Sequence, residues 1–352
     1  MEVEKVFHMN GGVGDTSYHL NSSLQKNAAE RINELAIEAM EQTYSALRPK
    51  SLGIADLGCS SASNALRYIK MAVESLMGPD TKTSEFRVCL NDLPTNDFNT
   101  LFKTLPDFYQ DLKKGDNNPP VLVAAYPGSF YGRLFPHKSL HFVFSFCAMQ
   151  WLSRIPPGIY DDQGRPLNRE SVYITKNSPP QVIDAYAKQF AEDFWAFLEG
   201  RAVEVVSGGR MALLIAGRKT SDYFSLDKTF LWENLHQSFF TLVSKGKIEK
   251  EMVESYDVHF YEPCKQEIQD IVTKEGSFEL ERFEFVETEI DLSFSGAVMA
   301  KAVRAVQQSM MSHHFGEGIM DDLFDEYGKL LDKEMDTKNF KVIHIAVVLR
   351  KL

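Results

Sequence analysis

Residues 51–64 read SLGIADLGCSSASN. Leu52, Ile54 and Ala55 form a short buried strand that ends on Asp56, turns at Gly58 and runs into a helix. An apolar strand, a small-residue turn and a helix make the first half of a βαβ unit. Such a turn brings a ligand close to the backbone, and the helix start offers unpaired N–H groups. The next strand, marked by Phe86, Val88 and Leu90, ends in Asn91 and Asp92. An acidic residue at that strand end is placed to hold the two hydroxyls of a ribose. The turn has one glycine where the dinucleotide fingerprint has three, so an ordinary α/β turn stands beside the nucleoside reading.

Working outward, 352 residues suffice for one large domain or two small ones, and 44% hydrophobic content is normal for a chain with a substantial core. No apolar run reaches membrane-spanning length, and the start, MEVEKVFHMNGG, lacks the pattern of a secretory leader. The four cysteines, Cys59, Cys89, Cys147 and Cys264, are widely spread and form no CxxC pair. That argues against a disulfide framework or zinc site and leads to the expectation of a cytoplasmic protein. Lys and Arg total 38 against 49 Asp and Glu, a net charge of −11. Such a surface repels phosphate backbones, so the expected partner is a small molecule, with no nucleic acid and no membrane.

Residues 9–20, MNGGVGDTSYHL, read as a loop, either closing over a site or fraying at the terminus. An amphipathic helix follows, with Ala28, Ile32, Leu35, Ala36, Ala39, Met40 and Leu47 at helical spacing and Ser22 or Ser23 as N-cap. Gln25 lies in its first turn, on the face of Ala28 and Ile32. KKGDNNPP (113–120) is a surface excursion, and VLVAAY a third strand that stops at PGSFYGRLFP. There Ser129 and Phe130 follow a strand end, where an aromatic stacks on a purine or simply packs in the core. LHFVFSF (140–146) is apolar almost throughout, as a strand covered on both faces should be. Cys147, Met149, Gln150 and Trp151 follow it, and ligands of open parallel sheets bind beyond the carboxyl ends of strands. Pro179-Pro180 opens a helix whose Val182, Tyr186, Phe190, Phe194 and Phe197 form a buried stripe. Gly208-Gly209 then turn the chain into a fifth strand, MALLIAG.

Residues 226–246 and 262–275 read as helices, 278–290 as a strand, 297–333 as helical and 342–349 as a last strand. Five β/α units and two extra strands give a doubly wound, seven-stranded α/β sheet of methyltransferase type, with the last two strands separated by helices. The chain reads as one domain, 1–352, with a core of about 50–222, 277–292 and 340–352. Helices of about 223–276 and 293–335 form a cap beside the cofactor edge.

These segments together resemble the SABATH family of plant methyltransferases, which move a methyl group from S-adenosylmethionine to small acids or to xanthine nitrogens. The carriers are HMNGGVGDTSY (8–18), NSSLQ (21–25), IADLGCSS (54–61), LNDLPTNDFNTLF (90–102), PGSFYGRLFP (127–136), MQWLSRIP (149–156) and FGEGIMDDLF (315–324). The resemblance implies that Asp92 holds the ribose, Leu93 borders the adenine, and Ser129 and Phe130 take its edge and face. It implies Tyr18, Ser22, Gln25, Asp56, Cys59 and Asn64 around the methionine moiety. Gln25 and Trp151 are similar to the pair that donates hydrogen bonds to an acceptor carboxylate, which suits an amide and an indole N–H. Cys147, Gln150, Leu231, Trp232 and Val303 correspond to the acceptor pocket. Asn168, Glu254, Tyr256 and Asp257 correspond to positions associated with magnesium in some members. A homodimer is a further implication.

The chain departs from the family at Ala62-Ser63-Asn64 (usually Gly-Pro-Asn), at Phe144 and Phe146, at Cys147, where tyrosine is common, and at Gln150. The smaller Cys147 leaves that wall roomier. The first expectation is therefore a carboxyl methyltransferase acting on a small, largely apolar acid. A carboxylic acid with a pKa of about 4 is ionised at neutral pH, so no general base is needed. The second keeps the fold but methylates a purine nitrogen, with the Gln150 amide reading the purine edge, or a thiol. A nicotinamide oxidoreductase and a cofactor-binding protein without turnover are the remaining readings.

Overall fold

The five expected parallel strands lie side by side in a computed structural model of the chain: β1 (Ser51–Leu57), β2 (Glu85–Asp92), β3 (Val121–Pro127), β4 (Leu140–Phe146) and β5 (Val205–Ala216). Two more, β6 (Phe278–Glu289) and β7 (Lys341–Lys351), complete a sheet in the order β3-β2-β1-β4-β5-β7-β6. β7 enters between β5 and β6 and is antiparallel to both. The described residues are 3–60, 63–77, 82–112, 119–221, 223, 226–289, 295–335 and 341–352. Ser61-Ala62, most of the 113–120 excursion and several expected core–cap junctions therefore lie outside them.

Helices α1 (Val3–Val6), α2 (Tyr18–Asn21), α3 (Ser23–Arg31) and α4 (Asn33–Leu47) precede β1, and α5 (Ser63–Leu76) joins β1 to β2. α6 (Phe98–Lys103) and α7 (Leu105–Leu112) lead to β3, and α8 (Pro180–Glu204) leads to β5. Between β5 and β6 come α9 (Leu226–Ser244), α10 (Lys250–Glu254) and α11 (Lys265–Glu275); between β6 and β7 come α12 (Gly296–Phe315) and α13 (Met320–Met335).

Strand alternation sends side chains to two buried layers. Leu52, Ile54, Phe86, Val88, Phe142 and Phe144 pack with Ala36 and Met40 of α4 and Ile69 and Val73 of α5. Ala55, Leu57, Val143, Leu213 and Val347 face the opposite layer, where the α8 stripe of Val182, Tyr186, Phe190, Phe194 and Phe197 is fully buried. Covering on both sides explains why β1 and β4 read as continuous apolar runs.

The structure corrects three local expectations. The first helix is two, broken at Ile32 (φ −105°, ψ 3°): Ala28 and Ala29 of α3 pack with Leu214, Val286 and Ala346, while Ala36 and Met40 of α4 pack with Leu52, Ile54 and Ala212. Ser22 takes the expected N-cap position of α3, although its Oγ makes no capping hydrogen bond and accepts from Asn64 Nδ2 at 3.0 Å instead. Gly208 and Gly209 lie inside β5, whose pairing with β4 shifts register between Leu140 and Phe142. The N-terminal segment is not frayed: Phe7 is buried, and Asn10 N donates to Ala305 O of α12 at 2.8 Å.

Candidate active site

At the carboxyl ends of β1 and β2 the backbone is tied into one unit. Gly58 N and Cys59 N both donate to Asn91 O, each at 2.9 Å. Gly58 adopts φ +78°, and a Cβ there would lie 2.4 Å from Ala148 Cβ, so only glycine makes this turn. Asn91 Nδ2 donates to Tyr126 O (2.7 Å) and Gly128 O (2.9 Å), which joins the end of β3 to the same unit. Asp92 accepts from Ser60 N and Leu93 N, both at 2.7 Å, so its carboxylate is fixed at the mouth of the turn.

Asp56 and Asp92 differ electrostatically. Burial, with the charge of Asp92 adding to it, raises the Asp56 carboxyl to about 7. Asp92 is also raised by burial, but its two backbone donors pull it back and it stands at about 6. Two carboxyls poised near neutrality at one strand edge suit a cationic ligand, whose charge favours the ionised forms.

Loop 127–136 forms the second wall. Phe130 leans on Tyr131 (4.7 Å between ring centroids) and on Phe197 of α8 (6.1 Å). A fully buried pair beneath it, Arg201–Glu204 at 2.7 Å, holds the loop by its backbone. Arg201 donates to Phe130 O and Gly132 O, each at 2.8 Å, and Glu204 accepts from Leu134 N and Phe135 N. Tyr131 OH donates to Trp151 O at 2.7 Å, linking this loop to the segment after β4.

Three recesses meet here. One is lined by Gln25, Asp56, Cys59, Asn64 and Phe146, and a second by Asp92, Leu93, Ser129, Phe130 and Trp151. The third is lined by Gln25, Cys147, Gln150, Trp151, Leu231, Trp232 and Val303. Tyr18 borders all three; Trp151 and Cys147 border the second and third, and Gln25 the first and third. Ser22 reaches the first recess through its bond to Asn64.

The third recess is mostly apolar, walled also by Met9, Phe260, Val306 and Tyr327. Its polar exceptions are Gln25, Gln150, Glu262, Gln307 and His344. The Gln150 amide is already used: Nε2 donates to Cys147 O (2.6 Å), and Oε1 accepts from Ala216 N (3.4 Å). Cys147 adopts φ +57°, unusual for a non-glycine residue, and burial pushes its thiol up to about 12, so it is a neutral wall. The Trp151 ring packs on Phe7 (5.1 Å), His259 (5.4 Å) and Phe260 (4.8 Å).

The four residues associated with magnesium each have a partner within the protein. Asn168 Nδ2 donates to Ser171 O and Tyr173 O, and its Oδ1 accepts from Ser178. Asp257 accepts from Tyr160 OH, Glu254 pairs with Lys250 at 2.7 Å, and Tyr256 OH donates to Gln307 Oε1 at 3.4 Å. Among the described residues no group of three or more His, Cys, Asp or Glu could hold a metal ion. Each of the four residues is thus engaged within the protein, and no chemistry is assigned to a metal there.

Sequence reading missed Arg201, Glu204, Tyr131, Gln307 and His344. Arg201 and Glu204, three apart on a helix, look like a solvated ion pair, and α12 and β7 reach the pocket only through the tertiary fold.

A parallel sheet with one reversed strand, and a cleft across the ends of β1, β2 and β4, define a nucleoside-cofactor methyltransferase architecture. The family profile described as SAM dependent carboxyl methyltransferase matches residues 4–352. The chain belongs to this family and uses S-adenosylmethionine as its co-substrate. It is 40% identical over 374 residues, covering 100% of both chains, to a probable jasmonic acid carboxyl methyltransferase of Theobroma cacao. It is 38% identical over 366 residues, again covering 100% of both, to a probable caffeine synthase of Camellia sinensis. A solved loganic acid methyltransferase with SAH superposes with a TM-score of 0.84 at 30% identity, covering 97% of this chain and 98% of that one. The family membership bears out the methyltransferase expectation and sets aside the nicotinamide oxidoreductase alternative.

Proposed function

We propose that this enzyme methylates the carboxylate of a small, largely apolar acid, giving a methyl ester and S-adenosylhomocysteine. The observation that carries the reading is the position of Gln25 and Trp151. Both border the apolar recess, and each also borders a recess at the strand ends. In this reading Asp92, Leu93, Ser129 and Phe130 hold the adenosine, while Tyr18, Ser22, Asp56, Cys59 and Asn64 surround the methionine end. The Gln25 Oε1 is buried without a hydrogen-bond partner, which leaves it to accept from the cofactor ammonium while Nε2 donates to the acceptor.

An acceptor carboxylate oxygen attacks the methyl carbon in line. The new C–O bond forms as the C–S bond breaks, and its electrons return to sulfur as a neutral thioether. No proton moves, so the protein's contribution is orientation and exclusion of water. A purine acceptor lacks the support expected of Gln150, whose amide is consumed by backbone groups. Gln25→Ala and Trp151→Phe are each expected to lower kcat at least tenfold, by loss of an oriented hydrogen bond, while S-adenosylmethionine still binds by calorimetry. Unchanged turnover in both variants would refute these roles.

A further inference from the structure

Besides Gln25, the acceptor recess is lined by two side chains with an unmet hydrogen-bonding atom. Gln307, on α12, is 1% exposed, and His344, on β7, is 6% exposed. Gln307 Oε1 accepts from Tyr256 OH at 3.4 Å, which sets the orientation of the amide, while Gln307 Nε2 is buried with no partner. His344 Nδ1 is likewise buried and unpartnered. Around them the wall is apolar, with Ala302, Val303 and Val306 on the same helix as Gln307.

A pocket serving only a hydrocarbon acid has no use for such groups. A buried donor without an acceptor is costly, and an aliphatic side chain at position 307 would fill the space without that cost. The arrangement becomes favourable once a ligand oxygen enters. The Tyr256 hydroxyl supports this, because it occupies the acceptor end of the Gln307 amide and leaves the donor end for the ligand.

Resting on the carboxylate reading above, we propose that the preferred acceptor carries a second oxygen besides its carboxylate, a ketone or hydroxyl, and that Gln307 Nε2 donates to it. His344 lines the same recess and offers it a further polar group. Burial holds its ring neutral, with the imidazole at about 4, so it acts as a hydrogen-bonding group and not as a cation for the carboxylate. Gln307 is thus a specificity-determining residue, and plain alkyl or aryl acids are poor acceptors.

The test uses shape-matched pairs of acids, cycloalkyl-acetic and arylpropanoic, each with and without one ring ketone or hydroxyl. Wild-type enzyme is expected to favour the oxygenated member of at least one pair about 10- to 100-fold in kcat/KM, the range for one buried hydrogen bond. In Gln307→Leu that ratio is expected to fall to near one or invert, through loss on the oxygenated member alone. Tyr256→Phe, which frees the amide to rotate, is expected to reduce it in part. Equal kcat/KM within every pair for the wild type overturns this proposal and leaves the carboxylate reading intact. So does a Gln307→Leu variant that loses activity on both members equally, because Gln307 would then serve the shared carboxylate. Absence of ester from every acid overturns the carboxylate reading itself, and this proposal with it.

Discussion

Replacing Asp56 by asparagine separates what this carboxyl costs the fold from what it does for the cofactor. Asp56 is 7% exposed, and burial and the charge of Asp92 raise its pKa from 3.8 to about 7. A carboxyl raised on folding reverses the usual case for Asp. The folded state holds the proton more tightly, so stability is fully present below the unfolded pKa and is lost as pH rises through the folded one. The rise from 3.8 to about 7 corresponds to about 4 kcal/mol, lost between about pH 4 and pH 7 in the cofactor-free protein. Asparagine does not titrate. The unfolding free energy of Asp56→Asn minus that of wild type is therefore expected to climb by about 4 kcal/mol between about pH 4 and pH 8. Urea denaturation of the cofactor-free proteins across that range measures the difference, and a constant offset from the side-chain change drops out of the slope. S-adenosylmethionine affinity should move the other way. Its cationic groups favour ionised Asp56, so wild-type binding tightens as pH rises toward about 7, and the variant binds at least tenfold more weakly. A flat difference in stability would refute the argument that Asp56 is an uncompensated buried acid.

Arg201→Met removes the donors to Phe130 O and Gly132 O and leaves Glu204 buried without its partner. It is expected to cost about 3–5 kcal/mol in denaturation and to raise the KM for S-adenosylmethionine more than that for the acid. Equal changes in both KM values would mean that the pair does not act through the Phe130 loop. Because Asn168, Tyr256 and Asp257 already bond within the protein and Glu254 pairs with Lys250, exhaustive chelation is expected to leave turnover unchanged; loss of activity restored by magnesium would contradict that reading.

The parts of the fold that depend on local pattern were legible. β1 and β4 are covered on both faces, so their apolar runs announce strands, and their ends place Asp56, Cys147 and Trp151 without further information. Asp92 is readable for the same reason. The break at Ile32 was not, because apolar spacing continues across it while the backbone leaves helical geometry at one residue. Gly208 and Gly209 look like a turn, yet the sheet carries them through a register shift inside β5. Gln307 falls in a segment that reads as cap helix and His344 in one that reads as a core strand, and only the entry of β7 between β5 and β6 and the placement of α12 bring them to one pocket. Arg201 and Glu204 show the same limit: a charge pair at helical spacing gives no sign of whether water or a loop lies over it.

The central claim, transfer to a carboxylate oxygen, is tested most directly by identifying the product. The purified enzyme is incubated with methyl-labelled S-adenosylmethionine and a pool of benzoic, cinnamic, indole and terpenoid acids, xanthines and thiols, and the products are read by mass spectrometry. The account predicts a methyl ester whose label is released as methanol by mild alkali. An alkali-stable N-methyl or S-methyl product would contradict it.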